Sequence, residues 1–229
     1  MELSTLGLKD RAQWEAKGYQ LPQFDRAAVT EATRENPCWI HFGAGNIFRA
    51  FQANVMQNIL NRGEMETGLI VAEGFDYEII EKMNRPHDDY SILVTLKADG
   101  SVEKTVVGSV VESCILDSEN EGEYGRLKEI FCKQSLQMVS FTITEKGYSL
   151  VNGKGELLPA VAADFAARRN LQAISEKLHL FYTHVLKTDS FRSPWYPWTI
   201  APITGINYMR QSIHLPKSGQ KTVWQRKSL

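Results

Sequence analysis

The feature that most constrains the fold is a short apolar run that ends in a glycine turn and leads directly into a helix. The run CWIHFG, residues 38–43, has the length and composition of a buried strand. The segment after it, up to a stop at Gly63, has helical spacing and predicts a helix whose apolar face is formed by Ile47, Phe51, Val55, Ile59 and Leu60. A strand joined so tightly to a helix is typical of sheets covered by helices.

Strand-like and helix-like segments continue to alternate after this unit. Residues 68–75 read as a second buried strand and are followed by a helical segment. Asp99-Gly100 separates two strand-like runs within residues 90–116 and predicts a β-hairpin. A helix at 123–134 and a strand at 136–144 follow. The pattern predicts an α/β fold with a doubly wound, mostly parallel sheet and a β-hairpin addition.

The chain divides into three parts. Residues 1–36 are expected to be an N-terminal extension with a short helix around 8–17 and another at 26–35, broken by Pro37. Residues 37–194 form the α/β domain and end in a long helical segment. Residues 195–229 form a tail that suddenly fills with Trp, Pro and Ser.

Composition excludes several classes of protein. The formal net charge is −1, which gives no bulk reason for binding to nucleic acid or to an anionic membrane. The three cysteines are far apart and lack zinc spacing, so we expect them to be reduced packing residues. The N-terminus has no apolar secretion signal, and no run is long enough to span a bilayer. These features predict a cytoplasmic protein, whereas its oligomeric state is not set by the sequence.

The glycine turn has the position of a dinucleotide-binding turn. Gly43 would permit the tight bend, and Gly45 would let the backbone approach a diphosphate at the start of the helix. The third glycine of the usual pattern is replaced by Phe48, so a plain strand–turn–helix junction is the alternative. The candidate cofactor-binding residues of this turn are Gly43, Ala44, Gly45, Asn46, Ile47, Phe48 and Arg49.

Acidic residues near the end of the second strand strengthen this interpretation. Glu73 and Asp76 lie about where an adenosine ribose would bind, and a carboxylate there favours NAD over NADP because it repels a 2′-phosphate. The alternative for both is a solvated strand end. Arg49 either neutralises phosphate or faces solvent, and His41 is expected to be a packed histidine rather than a catalytic one.

The segments HFGAGNIFRAFQA and FTITEKGY together resemble the mannitol dehydrogenase family of long-chain polyol and sugar-acid dehydrogenases. The family's first turn is close to G-x-G-x-F-H-R-A-H-Q-A; its two histidines are replaced here by Phe48 and Phe51, and its Phe by Ile47. The surrounding sequence is most similar to the mannonate oxidoreductase (fructuronate reductase) branch of this family. The resemblance covers about residues 8–192, and it adds Thr144 to the cofactor-binding residues.

The resemblance implies a Rossmann-type domain that binds NAD and a separate C-terminal catalytic domain. That domain would carry a lysine base in a K-x-x-x-x-N-x-x-H motif, and a D-N-x-x-x-N-G segment would supply an asparagine for the developing alkoxide. The chain contains neither motif, so no catalytic residue is assigned beyond a possible accessory role for Glu145, whose alternative is a strand-end carboxylate bonded to Lys146. The catalytic domain is expected to be missing and the chain to be truncated and inactive.

In a full-length relative the resemblance implies reduction of D-fructuronate to D-mannonate. Mannitol 2-dehydrogenase and tagaturonate reductase activities are alternatives within the family, so the partner is a small sugar acid or polyol. A non-catalytic nucleotide-binding module that pairs with another subunit is an alternative of a different class. A different short dehydrogenase would need a base such as that of a Tyr-x-x-x-Lys motif, which we do not find.

The unusual tail has a candidate explanation at the level of the gene. Residues 198–205, WTIAPITG, stand about where the D-N-x-x-x-N-G segment is expected. One back-translation of these residues is TGG-ACA-ATT-GCT-CCC-ATA-ACG-GGG. If each codon is read one base earlier, with an A before the first T, the encoded residues are MDNCSHNG. The Asp codon is largely forced, since Trp codons end in G and Thr codons begin with AC, whereas degeneracy only permits the others. We therefore expect a frame slip near Pro194, and a divergent tail packed as loops is the alternative.

Overall fold

A computed structural model describes residues 1–142, 152–159 and 162. The predictions for Thr144, Glu145, the helical segment after residue 162 and the tail at 195–229 lie outside these described residues. The described helices are α1 (Arg11–Glu15), α2 (Arg26–Glu35), α3 (Asn46–Ala50), α4 (Gln52–Asn61) and α5 (Glu121–Cys132). The described strands are β1 (Tyr19–Gln20), β2 (Trp39–Phe42), β3 (Leu69–Glu73), β4 (Ser91–Leu96), β5 (Val102–Val107), β6 (Val110–Ile115) and β7 (Met138–Phe141). A π-helix at Ile79–Asn84 and 3₁₀ turns at Gly7–Lys9 and Arg85–His87 complete the described helical elements.

Four strands form a parallel sheet in the order β6-β3-β2-β7. Every residue of β2 and β3 is buried, because helices cover both faces of the sheet. One core packs Ile40, Phe42 and Ile70 against α5, and the other packs Trp39 and Leu69 against α2, α3 and α4. The predicted doubly wound, mostly parallel α/β fold is confirmed.

The hairpin prediction is confirmed, but the run after it was assigned wrongly. β4 and β5 pair antiparallel around Gly100, which has a positive φ of 83°. The single strand-like run predicted after Gly100, within residues 90–116, is divided in the structure into β5 and β6, which belong to different sheets. Gly108 and Ser109 make the break, where Gly108 N–H donates to Gln57 Oε1 at 2.9 Å and Ser109 Oγ donates to the Ala53 carbonyl at 2.6 Å.

The helix after the glycine turn buries a largely different face from the predicted one, which keeps only Leu60 and the half-buried Ile59 in the core. Ile47 and Phe51 are 65% and 59% exposed, and Val55 is also exposed. The buried side chains are Phe48, Gln52, Ala53, Met56, Gln57 and Leu60. The helix breaks at Phe51 between α3 and α4, and Gln57 can be buried because its amide also donates to the Val106 carbonyl at 2.6 Å. Paired amides of this kind carry no apolar signal in the sequence.

The N-terminal segment packs against the domain. α2 has the predicted bounds because the carboxylate of Asp25 accepts hydrogen bonds from Ala27 N–H and Ala28 N–H at its start. β1 pairs parallel with β5, and Trp14 and Leu21 form a small core with Tyr90 and Val106. Residues 1–36 therefore supply β1, the edge strand of the hairpin sheet that lies beside β5.

Candidate cofactor-binding site

The glycine turn lies at the point where the order of the parallel sheet reverses. From β2 the chain crosses to β3 on one side, and the later strand β7 is added on the other side. In doubly wound sheets, ligands bind in the crevice at the carboxyl ends of the two strands that flank this point. Residues 43–45 follow β2, and Thr142 follows β7, so these residues form the two sides of the crevice.

The two glycines of the turn have different physical reasons for being glycine. Gly43 has a φ of 108°, which other residues rarely adopt, and an added methyl group would lie 3.4 Å from Thr142 Cβ. Gly45 has a φ of −69° and a ψ of 179°, which any residue can adopt. Within the described part of the chain, a methyl group added at Gly45 would meet no atom within 4 Å. The bend therefore requires Gly43, whereas none of the described residues fills the space in front of Gly45.

The start of α3 is left without a side-chain cap. Asp10, Asp25 and Asn120 each accept backbone hydrogen bonds at the starts of α1, α2 and α5, but Gly45 supplies no such group to α3. The first amides of a helix have no partner within the helix, so those of Asn46 and its successors can serve a ligand. Because α3 has only five residues, these donors matter more than a helix dipole.

Glu73 holds the turn in place rather than facing the crevice as a free carboxylate. It is 6% exposed, and its Oε2 accepts a hydrogen bond from Ala44 N–H at 2.8 Å. Its Oε1 accepts from the amides of Gly74, Phe75 and Asp76 at 3.0, 3.0 and 3.4 Å. These four amides occupy about the four acceptor positions of a carboxylate. The geometry thus gives Glu73 a structural task at the turn. Its expected ribose contact, like that of the exposed Asp76, stays a prediction.

The remaining turn residues differ in what they present. The Phe48 side chain is fully buried, so only its backbone is available to a ligand, whereas Ile47 projects into solvent. The Arg49 guanidinium donates to Asn46 Oδ1 at 2.7 Å, which keeps a cation beside the helix start. Partial burial lowers the pKa of Arg49 from its usual value, but a guanidinium stays protonated.

A buried polar network joins β2 to β7 directly beneath the crevice. Trp39 Nε1–H donates to Ser140 Oγ at 2.7 Å, and His41 contacts Ser140 Oγ through Nδ1 at 2.7 Å and Thr142 Oγ1 through Nε2 at 2.9 Å. The His41 ring stacks on Phe48 with centroids 4.4 Å apart, and burial lowers its pKa to about 4. His41 is the packed histidine that the sequence predicted. Sequence reasoning missed Ser140 and Thr142, although their spacing of two residues along a strand places them on one face.

Some kinds of site do not occur in the described part of the chain. Among residues 1–142, 152–159 and 162, His, Cys, Asp and Glu form no cluster suited to a metal ion. None of the described helices has the length and apolar character needed to cross a bilayer.

Comparison with known proteins finds relatives with one kind of chemistry. No protein-family model matches the chain. The D-mannonate oxidoreductase of Thermotoga maritima is 48% identical over 164 residues, which are 72% of this chain and 30% of the relative. The D-mannonate oxidoreductase of Escherichia coli is 31% identical over 121 residues, which are 52% of this chain and 24% of the relative. The chain thus spans less than a third of the length of these curated relatives.

Solved structures show the same fold. The mannitol 2-dehydrogenase of Pseudomonas fluorescens, in a ternary complex with NAD and D-mannitol, superposes with a TM-score of 0.66 and 22% identity over 82% of this chain and 37% of that chain. A substrate-free D-sorbitol dehydrogenase gives 0.60 and 20% identity over 75% of this chain and 34% of that chain. These matches confirm the resemblance of the chain to the N-terminal, Rossmann-type portion of the mannitol dehydrogenase family.

Proposed function

We propose that the chain is the NAD-binding portion of an oxidoreductase that interconverts D-mannonate and D-fructuronate. The observation that carries the proposal is the space at Gly45, which no described residue fills, between the uncapped start of α3 and the reversal point of the sheet. The diphosphate would lie against the amides at 45–48 with Arg49 nearby. The adenosine ribose would lie by Asp76, whose carboxylate favours NAD over NADP. Two D-mannonate oxidoreductases among the relatives support the choice of substrate.

The proposal separates cofactor binding from turnover. Bound NAD would supply the hydride acceptor, while the family resemblance assigns the base that takes the hydroxyl proton to a lysine in a motif that this sequence lacks. We therefore expect the chain to bind NADH and to show no oxidation of D-mannonate by itself. Thr144 remains a proposed cofactor contact, and Glu145 a proposed accessory residue.

Fluorescence titration with NADH tests the cofactor site. Gly45→Val should weaken NADH binding by more than about tenfold, because the branched side chain would occupy the space required by the diphosphate. The fold should tolerate the change, since an added methyl group meets none of the described atoms within 4 Å and the backbone angles suit any residue.

Gly125→Val is the matched control. Gly125 lies on α5, and a methyl group added there also meets no atom within 4 Å. This variant should bind NADH like the unmodified chain. Equal NADH affinity in the two valine variants and the unmodified chain would remove the cofactor from this turn.

Sequencing of the gene tests the part of the proposal that concerns turnover. We propose that residues from about 195 onward are read out of frame, and a one-base shift in the gene near codon 194 should restore the D-N-x-x-x-N-G segment. The frame-restored product should oxidise NADH with D-fructuronate faster than with D-tagaturonate or D-fructose. An intact reading frame, with no dehydrogenase sequence downstream, would contradict the slip without affecting NADH binding.

A further inference from the structure

A buried histidine that the proposed function does not use lies directly beneath the candidate crevice. Both ring nitrogens of His41 have partners on β7 or just after it, Ser140 Oγ at 2.7 Å and Thr142 Oγ1 at 2.9 Å. The ring is fully buried and stacks on Phe48 at an interplanar angle of 7°. Its position is thus fixed by packing as well as by hydrogen bonds.

The direction of each hydrogen bond follows from the donor at the far end of the network. The indole nitrogen of Trp39 is a donor only, so Ser140 Oγ must accept from it. Ser140 is fully buried, and its single proton needs an acceptor. The Nδ1 of His41 provides one at 2.7 Å. A neutral imidazole that accepts at Nδ1 carries its proton on Nε2, and Nε2–H then donates to Thr142 Oγ1.

The opposite arrangement leaves a buried proton without a partner in this network. If Nδ1 carried the proton, Ser140 Oγ would accept from both Trp39 and His41, and its own hydrogen would have no acceptor within the network. A buried hydroxyl hydrogen in that state is unfavourable. The neutral form of the ring is supported separately, because burial lowers the pKa of His41 to about 4.

The Thr142 hydroxyl lies between this buried network and the crevice. Its N–H donates to the Phe42 carbonyl at 3.0 Å, which fixes the backbone one residue beyond β7. Its side chain is partly exposed and lies beside the bend at Gly43, where a methyl group would be 3.7 Å from Oγ1. Once Oγ1 accepts from His41, its own proton is left to donate to a group in the crevice.

We infer that His41 is a positioning residue that holds the Thr142 hydroxyl as a hydrogen-bond donor to the diphosphate or adjoining ribose of the bound dinucleotide. The inference rests on the proposed function, because it requires the dinucleotide to lie at the glycine turn. Trp39 and Ser140 set the direction of the bonds, His41 transmits it, and Thr142 makes the contact.

The tautomer of His41 can be measured without any ligand. Two-dimensional ¹H–¹⁵N spectra of the imidazole groups in the full chain should show His41 neutral at pH 7 with its proton on Nε2. The chain has five histidines, so His41→Gln identifies the signal by its loss. A proton on Nδ1 would overturn the inference whatever the affinity for NADH.

NADH titration then tests the contact. Thr142→Val removes the hydroxyl at nearly constant volume and should weaken NADH binding about three- to tenfold, the usual effect of one lost hydrogen bond. Thr142→Ser keeps the hydroxyl and should stay within about twofold of the unmodified chain. His41→Gln can still present an amide N–H near the Nε2 position and should bind better than His41→Phe, which retains only the ring stacking.

The outcomes distinguish this inference from the proposed function. If the unmodified chain binds NADH, Gly45→Val does not, and Thr142→Val binds normally, then the cofactor site stands and the role of Thr142 is overturned. If the unmodified chain binds no NADH, the proposed function fails and the inference fails with it. Near-UV circular dichroism of each variant ensures that a loss of affinity is not a loss of fold.

Discussion

The two sheets in the described part of the chain differ in how completely they are covered. In the parallel sheet, every residue of β2 and β3 is buried, because helices pack on both faces. In the hairpin sheet, one face of β4 presents Ile92, Val94 and Leu96 to solvent. Antiparallel sheets commonly have one solvated face, whereas parallel sheets rarely do. The candidate site is built on the sheet whose side chains are fixed on both sides.

The difference in burial between the two sheets explains why the polar side chains of the candidate site have fixed hydrogen-bond partners. His41 and Glu73 are buried in or beside the parallel sheet, and each has all of its hydrogen-bonding atoms engaged. In the hairpin sheet, polar groups such as Lys97 and Glu103 form an ion pair at the surface, 2.9 Å apart. An exposed pair of this kind contributes little to stability. Burial thus holds the side chains of His41 and Glu73 in fixed positions at the candidate site.

The largest expected effect is the removal of a core side chain from the parallel sheet. Phe42→Ala should lower the free energy of unfolding by about 3–5 kcal/mol, because Phe42 is fully buried against α5. Urea denaturation followed by circular dichroism measures the change. Phe42→Leu, which leaves a smaller void, should remain folded and lose less stability. A decrease in the free energy of unfolding below about 1 kcal/mol for Phe42→Ala would contradict the tight packing of the parallel sheet.

A smaller effect should follow from acidification. The folded-state pKa of His41 is lowered from 6.5 to about 4 by burial, so below pH 6.5 the unfolded chain binds a proton that the folded chain does not. Stability contributed by the neutral ring is present above pH 6.5 and is lost as the pH falls towards 4. The total loss is about 3 kcal/mol at 1.36 kcal/mol per pKa unit.

Urea denaturation at several pH values measures this loss for the unmodified chain and for His41→Gln. The carboxylates titrate in both proteins, so the difference between the two curves isolates the histidine. The unmodified chain should lose more stability than the variant between pH 7 and 4. Parallel curves would mean that the ring is accessible to water and that the parallel sheet is less tightly closed than its burial indicates.

The smallest effect is expected on the open face of the hairpin. Leu96 is 78% exposed, so Leu96→Thr should change the free energy of unfolding by less than about 0.5 kcal/mol. The same urea experiment measures it, with Phe42→Leu as the buried counterpart. A decrease in the free energy of unfolding of more than about 1 kcal/mol would contradict the difference between the two sheets, because it would mean that this face is covered in solution.

Much of the fold was predictable because β2 and β3 are mostly apolar runs, each followed directly by a glycine. The run at 38–43 and the segment at 68–75 both became buried strands, and Asp99-Gly100 marked the hairpin. The division of 102–116 between two sheets was not predictable. It depends on Gln57, which lies on another element and accepts the Gly108 amide hydrogen. Such contacts connect residues about fifty positions apart and leave no local pattern.

The site was predictable in position but less so in the roles of its residues. The glycine turn lies where the spacing indicated, because strand, bend and helix start are local features. The spacing also marked Glu73 as a ribose ligand, which stays a prediction, but it did not indicate that Glu73 binds the Ala44 amide and the loop that follows β3. Helical periodicity favoured Ile47 and Phe51 as buried residues, whereas both are exposed and Phe48 and Gln52 are buried instead. Local patterns therefore located the crevice, and tertiary contacts decided which groups face it.

The joining of β2 to β7 has a consequence for the order in which the protein is made. His41 and Thr142 are separated by 101 positions in sequence. During synthesis the glycine bend leaves the ribosome long before the strand that completes its neighbourhood, so no nascent chain shorter than about 140 residues can close it. Contacts of such long range also slow folding. Binding of the proposed dinucleotide at this bend should therefore be among the last properties that a newly made molecule acquires.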